Sequence, residues 1–251
     1  MFKDHFSKLA DRYAKYRPQY PGALFRYLAS LPPEHDLAWD CATGNGQAAV
    51  GLAPYFKKIA AADLSREQLS QAAHHEKIEY HLASAEDSGI EAGSVDLITV
   101  ANAAHWFNLE LFYREAERVL KPEGKIAVWC YLHSGITEEI DRIVKNYAHK
   151  ILQSYWPPER KYVEEKYRTL PFPFKEVKTP EFKIQLQWDF FNFTGYLKTW
   201  SASQRYLEQQ KKDPLELIEK ELKKAWGKLE TLHEVSWNIY LRAGEKRKAE
   251  I

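Results

Sequence analysis

The run Leu37-Ala38-Trp39-Asp40-Cys41-Ala42-Thr43-Gly44-Asn45-Gly46-Gln47 constrains this chain more than any other: a short apolar strand ends at an acid and enters a turn that holds two glycines. Glycine at 44 and 46 opens backbone conformations closed to other residues and lets a ligand approach the main chain with no side chain between. Gln47 to Ala53 reads as a helix, so the unpaired amides of its first turn face the same turn. Strand, glycine turn and helix start together make a site for a nucleotide-type cofactor.

Two cofactors use such a turn. For a dinucleotide, Gly44-x-Gly46-x-x-Ala49 meets the loose G-x-G-x-x-G/A fingerprint, and Asp63 lies at the right distance for a ribose. S-adenosylmethionine has the same adenosine but carries a sulfonium, an ammonium and one carboxylate in place of a pyrophosphate. Charge separates the two. Asp40 stands close to where a pyrophosphate would meet the helix N-terminus, and an acid there works against anion binding. For a cationic amino-acid ligand the same aspartate is favourable.

Strand and helix patterns then alternate: Leu37–Asp40, a helix from Gln47, Ile59–Asp63, a helix from Arg66, Ile78–Leu82, Val95–Ala101, a helix from Leu109, and Lys125–Tyr131. Such alternation predicts a parallel sheet with helices on both faces. Ser65-Arg66-Glu67-Gln68 has capping-box spacing, and Lys121-Pro122-Glu123-Gly124 stops one helix and leads into the next strand. Ile136, Ile140, Ile143, Val144, Tyr147 and Ile151 make a helical stripe. Phe182–Phe191 is expected as a strand, Asp213 as the cap of a helix, and Glu234–Ala243 as the last strand.

The pattern Asp40-x-Ala42-x-Gly44-x-Gly46 resembles the first motif of the class I S-adenosylmethionine-dependent methyltransferases, acid-x-Gly-x-Gly-x-Gly, with alanine at one glycine position. Three further segments resemble the family in order: Asp63-Leu64 after the second strand, Ser84-Ala85-Glu86 after the third, and Asn102 to Phe107 after the fourth. Arg118-Val119-Leu120-Lys121-Pro122-Glu123-Gly124 looks like the approach to the family's fifth strand. The resemblance implies an α/β, Rossmann-like seven-stranded, mostly parallel sheet with helices on both faces and a helical cap insertion. It also implies S-adenosylmethionine as cofactor and S-adenosylhomocysteine as product.

The resemblance assigns Asp40, Ala42, Gly44, Gly46 and Gln47 to the methionine part of the cofactor, Asp63 to the ribose hydroxyls and Leu64 to the adenine. Ser84, Ala85 and Glu86 would meet the adenine, with neutral Ser84 where relatives usually place aspartate. Asn102 begins the segment that lines the reacting methyl. His105 is the candidate base, or a group that positions a carboxylate. Trp106 offers an aromatic face to the sulfonium. Arg17 can clamp a carboxylate, either the cofactor's or an acidic substrate's. Tyr16, Tyr20, Trp200 and Tyr206 are the substrate-side candidates, with Tyr13, Trp156 and Trp188 as further aromatic neighbours. The Trp39–Gln47 and Ala104–Phe107 segments look most like the trans-aconitate methyltransferase-like and plant embryo-abundant-protein-like branch. That implies a small-molecule acceptor, with carboxylates and hydroxyls foremost.

Composition narrows the partners. With 36 basic against 35 acidic residues and a net charge of +1, no broad field draws in nucleic acid or an anionic membrane. No run approaches the roughly 20 apolar residues of a membrane span. The two cysteines, Cys41 and Cys130, fall on separate strand ends, so a reducing, cytoplasmic setting is expected. The histidines show no H-E-x-x-H or comparable pattern, and no metal is expected. One domain over 1–251 is expected, a monomer or homodimer, with an N-terminal lid helix and elbow at 1–21, a cap insertion at 133–180 and further cap helices at 194–231. The charged cluster Glu245 to Lys248 reads as a solvated end. An NAD-dependent oxidoreductase, a methyltransferase-like binding module without turnover, and a protein or RNA methyltransferase remain the alternatives.

Overall fold

The computed structural model describes residues 16–246. The expected lid helix before Tyr16, Tyr13 with it, and the basic tail after Lys246 lie outside the described residues. Five strands come first: β1 Leu37–Cys41, β2 Lys58–Asp63, β3 Ile78–Leu82, β4 Val95–Ala101 and β5 Leu120–Tyr131. The short β6 Lys175–Val177, then β7 Phe182–Trp188 and β8 His233–Glu245, follow the helical insertion. The sheet order is β3-β2-β1-β4-β5-β8-β6, with β7 also paired to β8. β1 to β5 are parallel, and β8 runs antiparallel to β5.

Parallel strands covered on both faces read as near-continuous apolar runs, and β1 and β4 are buried along almost their whole length. Side chains alternate between two cores. From β5, Ala127, Trp129 and Tyr131 join the core that holds Leu24, Leu28, Tyr147 and Trp237. Ile126, Val128 and Cys130 join the one that holds Trp39, Phe112 and Val119. Because β1 has β2 on one side and β4 on the other, the chain reverses its winding there. The crevice beyond the carboxyl ends of β1 and β4 is therefore the ligand-binding position of this topology.

Among the described residues the sheet has eight strands, where seven were expected. β6 and β7 lie end to end on the same edge of β8, Val177 opposite Ala243 and Phe182 opposite Ile239. Pro180 stands between them, and a residue without an N–H interrupts an edge strand. The expected strand over Phe182–Phe191 ends at Trp188, because Asp189 accepts a hydrogen bond from the Asn192 amide and caps a helix over Phe190–Lys198. The last strand is longer than Glu234–Ala243 at both ends.

Between β5 and β6 stand a helix at Glu138–Asn146, a π-helical turn at Tyr147–Ile151 and a short helix at Arg160–Glu164. Between β7 and β8, the Phe190–Lys198 helix leads into Ser201–Gln210 and later Glu219–Trp226. The two groups are joined by buried polar contacts such as Tyr147 Oη to Ser203 Oγ at 2.9 Å. They pack against the β5 and β8 side of the sheet through Tyr147, Tyr196, Trp200 and Trp237. Among the described residues no helix is long and apolar enough to cross a membrane.

Candidate active site

At the end of β1 the backbone turns through left-handed conformations at Ala42, Gly44 and Gly46, with φ of 53°, 57° and 84°. Glycine is required at 46 on a second ground: a Cβ there would stand 2.4 Å from Tyr80 Oη, which donates to the Ala73 carbonyl at 2.8 Å. Asp40 does not face the crevice. It is fully buried, its Oδ2 accepting from Thr43 Oγ1 at 2.5 Å and Ala49 N at 3.0 Å, its Oδ1 from Thr99 Oγ1 at 2.8 Å. Burial pushes its pKa up to about 6, against the pull of those three donors. The carboxylate thus ties together β1, β4, the glycine turn and the first turn of the Gln47–Leu52 helix, where Gln47 is half-buried.

Asp63, at the end of β2, accepts from Gly44 N and from Ser65 N, both at 2.8 Å. Ser65 caps the Arg66–Ser70 helix by accepting from Gln68 N. Beyond the ends of β2 and β3, Leu64 and Leu82 are 44% and 52% exposed, an apolar lip beside these acids. Ser84 accepts from Asp87 N at 3.0 Å within its own turn, Ala85 is buried, and Glu86 accepts from Asn108 N at 3.0 Å.

Asn102 follows β4 with a φ of 56°, its amide bonded to Trp129 O at 2.7 Å. Ala42 and Asn102 therefore sit on adjacent strand ends in the same sparsely populated conformation. Asparagine visits it readily; for alanine it costs about 1 kcal/mol.

A cavity of about 580 Å³, its open mouth included, lies beyond β4 and β5. Arg17, Asn102, His105, Trp106 and Trp200 line it, as do Tyr131, His133, Trp156, Arg160 and Tyr196. Tyr16, Tyr20 and Tyr206 do not. Tyr16 lies flat enough on Gly195 that a Cβ there would be 2.5 Å from its ring; Tyr20 packs edge-on against Phe25, Trp129 and Tyr131; Tyr206 packs on Tyr155. Trp188 is also a packing residue, against Trp237 and Tyr196.

His105 Nδ1 lies 2.7 Å from Tyr167 Oη. Tyr167 is fully buried and its oxygen also takes a hydrogen bond from the His105 backbone, so the one hydroxyl proton is directed to the ring, and the hydroxyl donates while Nδ1 accepts. Burial, with a smaller push from the Arg160 charge, lowers the His105 pKa to about 3. The neutral ring then carries its proton on Nε2 and is a donor there. His133, two residues past β5, has both ring nitrogens buried without a hydrogen-bond partner among the described residues. Burial chiefly, and Arg160 next, lower its pKa to about 4.

Arg17 spans the cavity wall, donating to Tyr131 Oη and to the Thr199 carbonyl, both at 3.1 Å. Arg160 stacks its guanidinium 3.6 Å above the Trp156 ring, and its Nε is 3.4 Å from Glu164 Oε1. The sequence reading missed His133, Arg160, Tyr131 and Tyr196. His133 was within reach of the rule that ligands bind at strand ends, applied to the fifth strand as well as the first four. Arg160 carried no local signal beyond its place after the proline pair Pro157-Pro158.

Glu34, Asp36 and Asp96 come close enough to share a cation, but Lys121 Nζ lies 2.8, 3.0 and 2.7 Å from them and holds that place. The cluster stands at the amino ends of β1 and β4, away from the crevice.

A family model described as a methyltransferase domain matches residues 39–128, which span the glycine turn and β1 to β5. A Dictyostelium discoideum protein named as a methyltransferase is 35% identical over 252 residues, covering 98% of this chain and 96% of its own. The chain belongs to the class I S-adenosylmethionine-dependent methyltransferases. A solved structure described as a type II methyltransferase from Anaeromyxobacter dehalogenans is 42% identical, with a TM-score of 0.85 over 92% of this chain and 98% of that one. A phosphoethanolamine methyltransferase of Haemonchus contortus, solved with S-adenosylhomocysteine, shares the fold at 14% identity and a TM-score of 0.50, over 97% of this chain and 58% of its own. Membership of this family removes the dinucleotide reading of the glycine turn. The crevice fits the family's cofactor: a turn closed to side chains at Gly46, an acid at the end of β2 at Asp63, and the apolar lip of Leu64 and Leu82.

Proposed function

We propose that this methyltransferase transfers a methyl group from S-adenosylmethionine to an oxygen of a small-molecule acceptor, with a carboxylate favoured over a hydroxyl. Gly44, Gly46 and Gln47 would take the methionine part, Asp63 the ribose, and Leu64 with Ala85 the adenine. Asp40 acts from behind, holding the turn in shape. When bound, the cofactor supplies an already activated methyl group, so the chain's task is to place the acceptor in line and exclude water.

One observation carries the preference for a carboxylate. Among the described residues that line the cavity there is no aspartate, glutamate or lysine, and the two histidines are poor proton acceptors: His105 is held as a donor, and both pKa values lie far below neutrality. A hydroxyl acceptor has to lose a proton to a base of matched pKa. A carboxylate arrives without one. Asn102 and the Nε2 proton of His105 can orient it, while Trp106 and Trp200 close the walls.

Incubating the purified protein with S-adenosylmethionine and matched sets of carboxylic acids and phenols tests this. Methyl esters should form, with kcat/KM nearly constant from pH 5.5 to 8.5, since carboxylates are ionised throughout. Methylation of phenols alone, with a rate that climbs with pH, would contradict it.

A further inference from the structure

We infer that Arg160, stacked on Trp156, is the residue that recognises the negative charge of the acceptor and makes the cavity selective for carboxylates. The inference rests on the reading of this cavity as the acceptor site, and it concerns a different residue from those that shape the cofactor side.

The two arginines that line the cavity among the described residues are not equivalent. Arg17 is spent on the protein, one terminal nitrogen bonded to Tyr131 and the other to a backbone carbonyl. Arg160 is held by its face and by Nε alone, over the Trp156 ring and beside Glu164. Its two terminal nitrogens have no hydrogen-bond partner among the described residues. A guanidinium fixed through its face leaves its edge open, and the edge is the fork that matches a carboxylate with two parallel hydrogen bonds.

The support beneath it is rigid. Trp156 donates its Nε1–H to the Ala148 carbonyl at 2.9 Å and packs against Trp200 with ring centroids 5.6 Å apart. Little side-chain freedom remains to be lost when a ligand binds.

The charge is also under-compensated. The Arg160 side chain is only 17% exposed, and the one carboxylate paired with it among the described residues, Glu164, is 42% exposed and so well screened. Burial and the Arg17 charge both push its pKa down, and its own field is felt at His105, His133 and Cys130. A desolvated cation with so weak a partner is a net cost to the fold. An anionic acceptor supplies the missing counter-charge. The aromatic walls of Trp156, Tyr196 and Trp200 suit a flat organic acid better than an inorganic anion.

Calorimetric titration of the protein with benzoate and with the neutral benzamide, with and without saturating S-adenosylhomocysteine, tests the assignment. The wild type should bind benzoate at least tenfold more tightly than benzamide. Arg160→Gln should weaken benzoate at least tenfold and leave benzamide and S-adenosylhomocysteine unchanged. Arg160→Lys should fall between, keeping the charge but losing the stack and the fork. No benzoate binding, equal affinity for the two probes, or a benzoate preference retained in Arg160→Gln would each overturn it. Unchanged S-adenosylhomocysteine binding in Arg160→Gln shows that the variant is folded. Failure of the wild type to bind S-adenosylhomocysteine would instead strike the methyltransferase reading, and the benzoate arm without it still reads Arg160 by itself.

Discussion

On the β1–β2 side of the crevice the polar groups are bonded to the protein itself: Asp40 takes Thr43, Thr99 and Ala49, and Asp63 takes the amides of Gly44 and Ser65. On the β4–β5 side, the buried ring nitrogens of His133 and the partly buried Arg160 fork are left open among the described residues. The first region is a backbone shape held by acids from behind. The second is a set of side chains gathered from five segments between Arg17 and Trp200. A shared cofactor asks for a fixed turn, and an individual acceptor asks for replaceable side chains. The proposed function accounts for the division between the two sides in that way.

Substitutions should separate the sides, and the largest effect is expected at Asp40. Asp40→Ala strips the acceptor from three buried donors and should lower stability by about 3–4 kcal/mol in urea denaturation. A loss below about 1 kcal/mol would mean that the turn is held by something else. Gly46→Ala meets both a left-handed backbone and the Tyr80 hydroxyl. It should cost about 1–2 kcal/mol of stability and weaken S-adenosylhomocysteine at least tenfold, while benzoate binding stays within a factor of two.

The sides should also answer acid in opposite senses. The lowered pKa of His133 means that its contribution to stability is present above pH 6.5 and is lost as pH falls toward 4. The raised pKa of Asp40 means that its contribution is present below pH 3.8 and is lost as pH rises through about 6. His133→Phe should therefore flatten the decline of melting temperature between pH 6.5 and 4, and Asp40→Asn should steepen it. Identical slopes in wild type and both variants would break the comparison. The smallest effect belongs to Ala42→Gly, which should stabilise the protein by about 0.5–1 kcal/mol by relieving the left-handed alanine.

This contrast also explains what could be read from the sequence. Strand, acid and glycine turn are neighbours in the chain, so the first motif, Asp63 and the parallel alternation were legible as local patterns. What the local pattern could not give was direction. Asp40 has the right identity but points into the sheet, and Ser84 spends its hydroxyl on its own turn. The cavity beyond β4 and β5 depends on contacts between residues more than a hundred positions apart, such as Arg17 with Tyr131. No periodicity records these. The aromatics were recognised as a group, yet Tyr20 and Tyr206 fill packing while Tyr196 and Trp156 line the cavity. The strand expected through Phe191 failed on one residue, Asp189, whose capping bond starts a helix where the apolar pattern runs on.

The central claim is that the glycine turn and Asp63 form a site for S-adenosylmethionine in this chain. Its most direct test is a thermal-shift comparison of S-adenosylhomocysteine with NAD, each at about a hundred times a plausible dissociation constant. Binding at that saturation stabilises by about 2.7 kcal/mol, which for a chain of this size raises the melting temperature by roughly 5–10 °C. The account predicts that rise with S-adenosylhomocysteine and none with NAD. No rise with S-adenosylhomocysteine, or a rise with NAD alone, would contradict it.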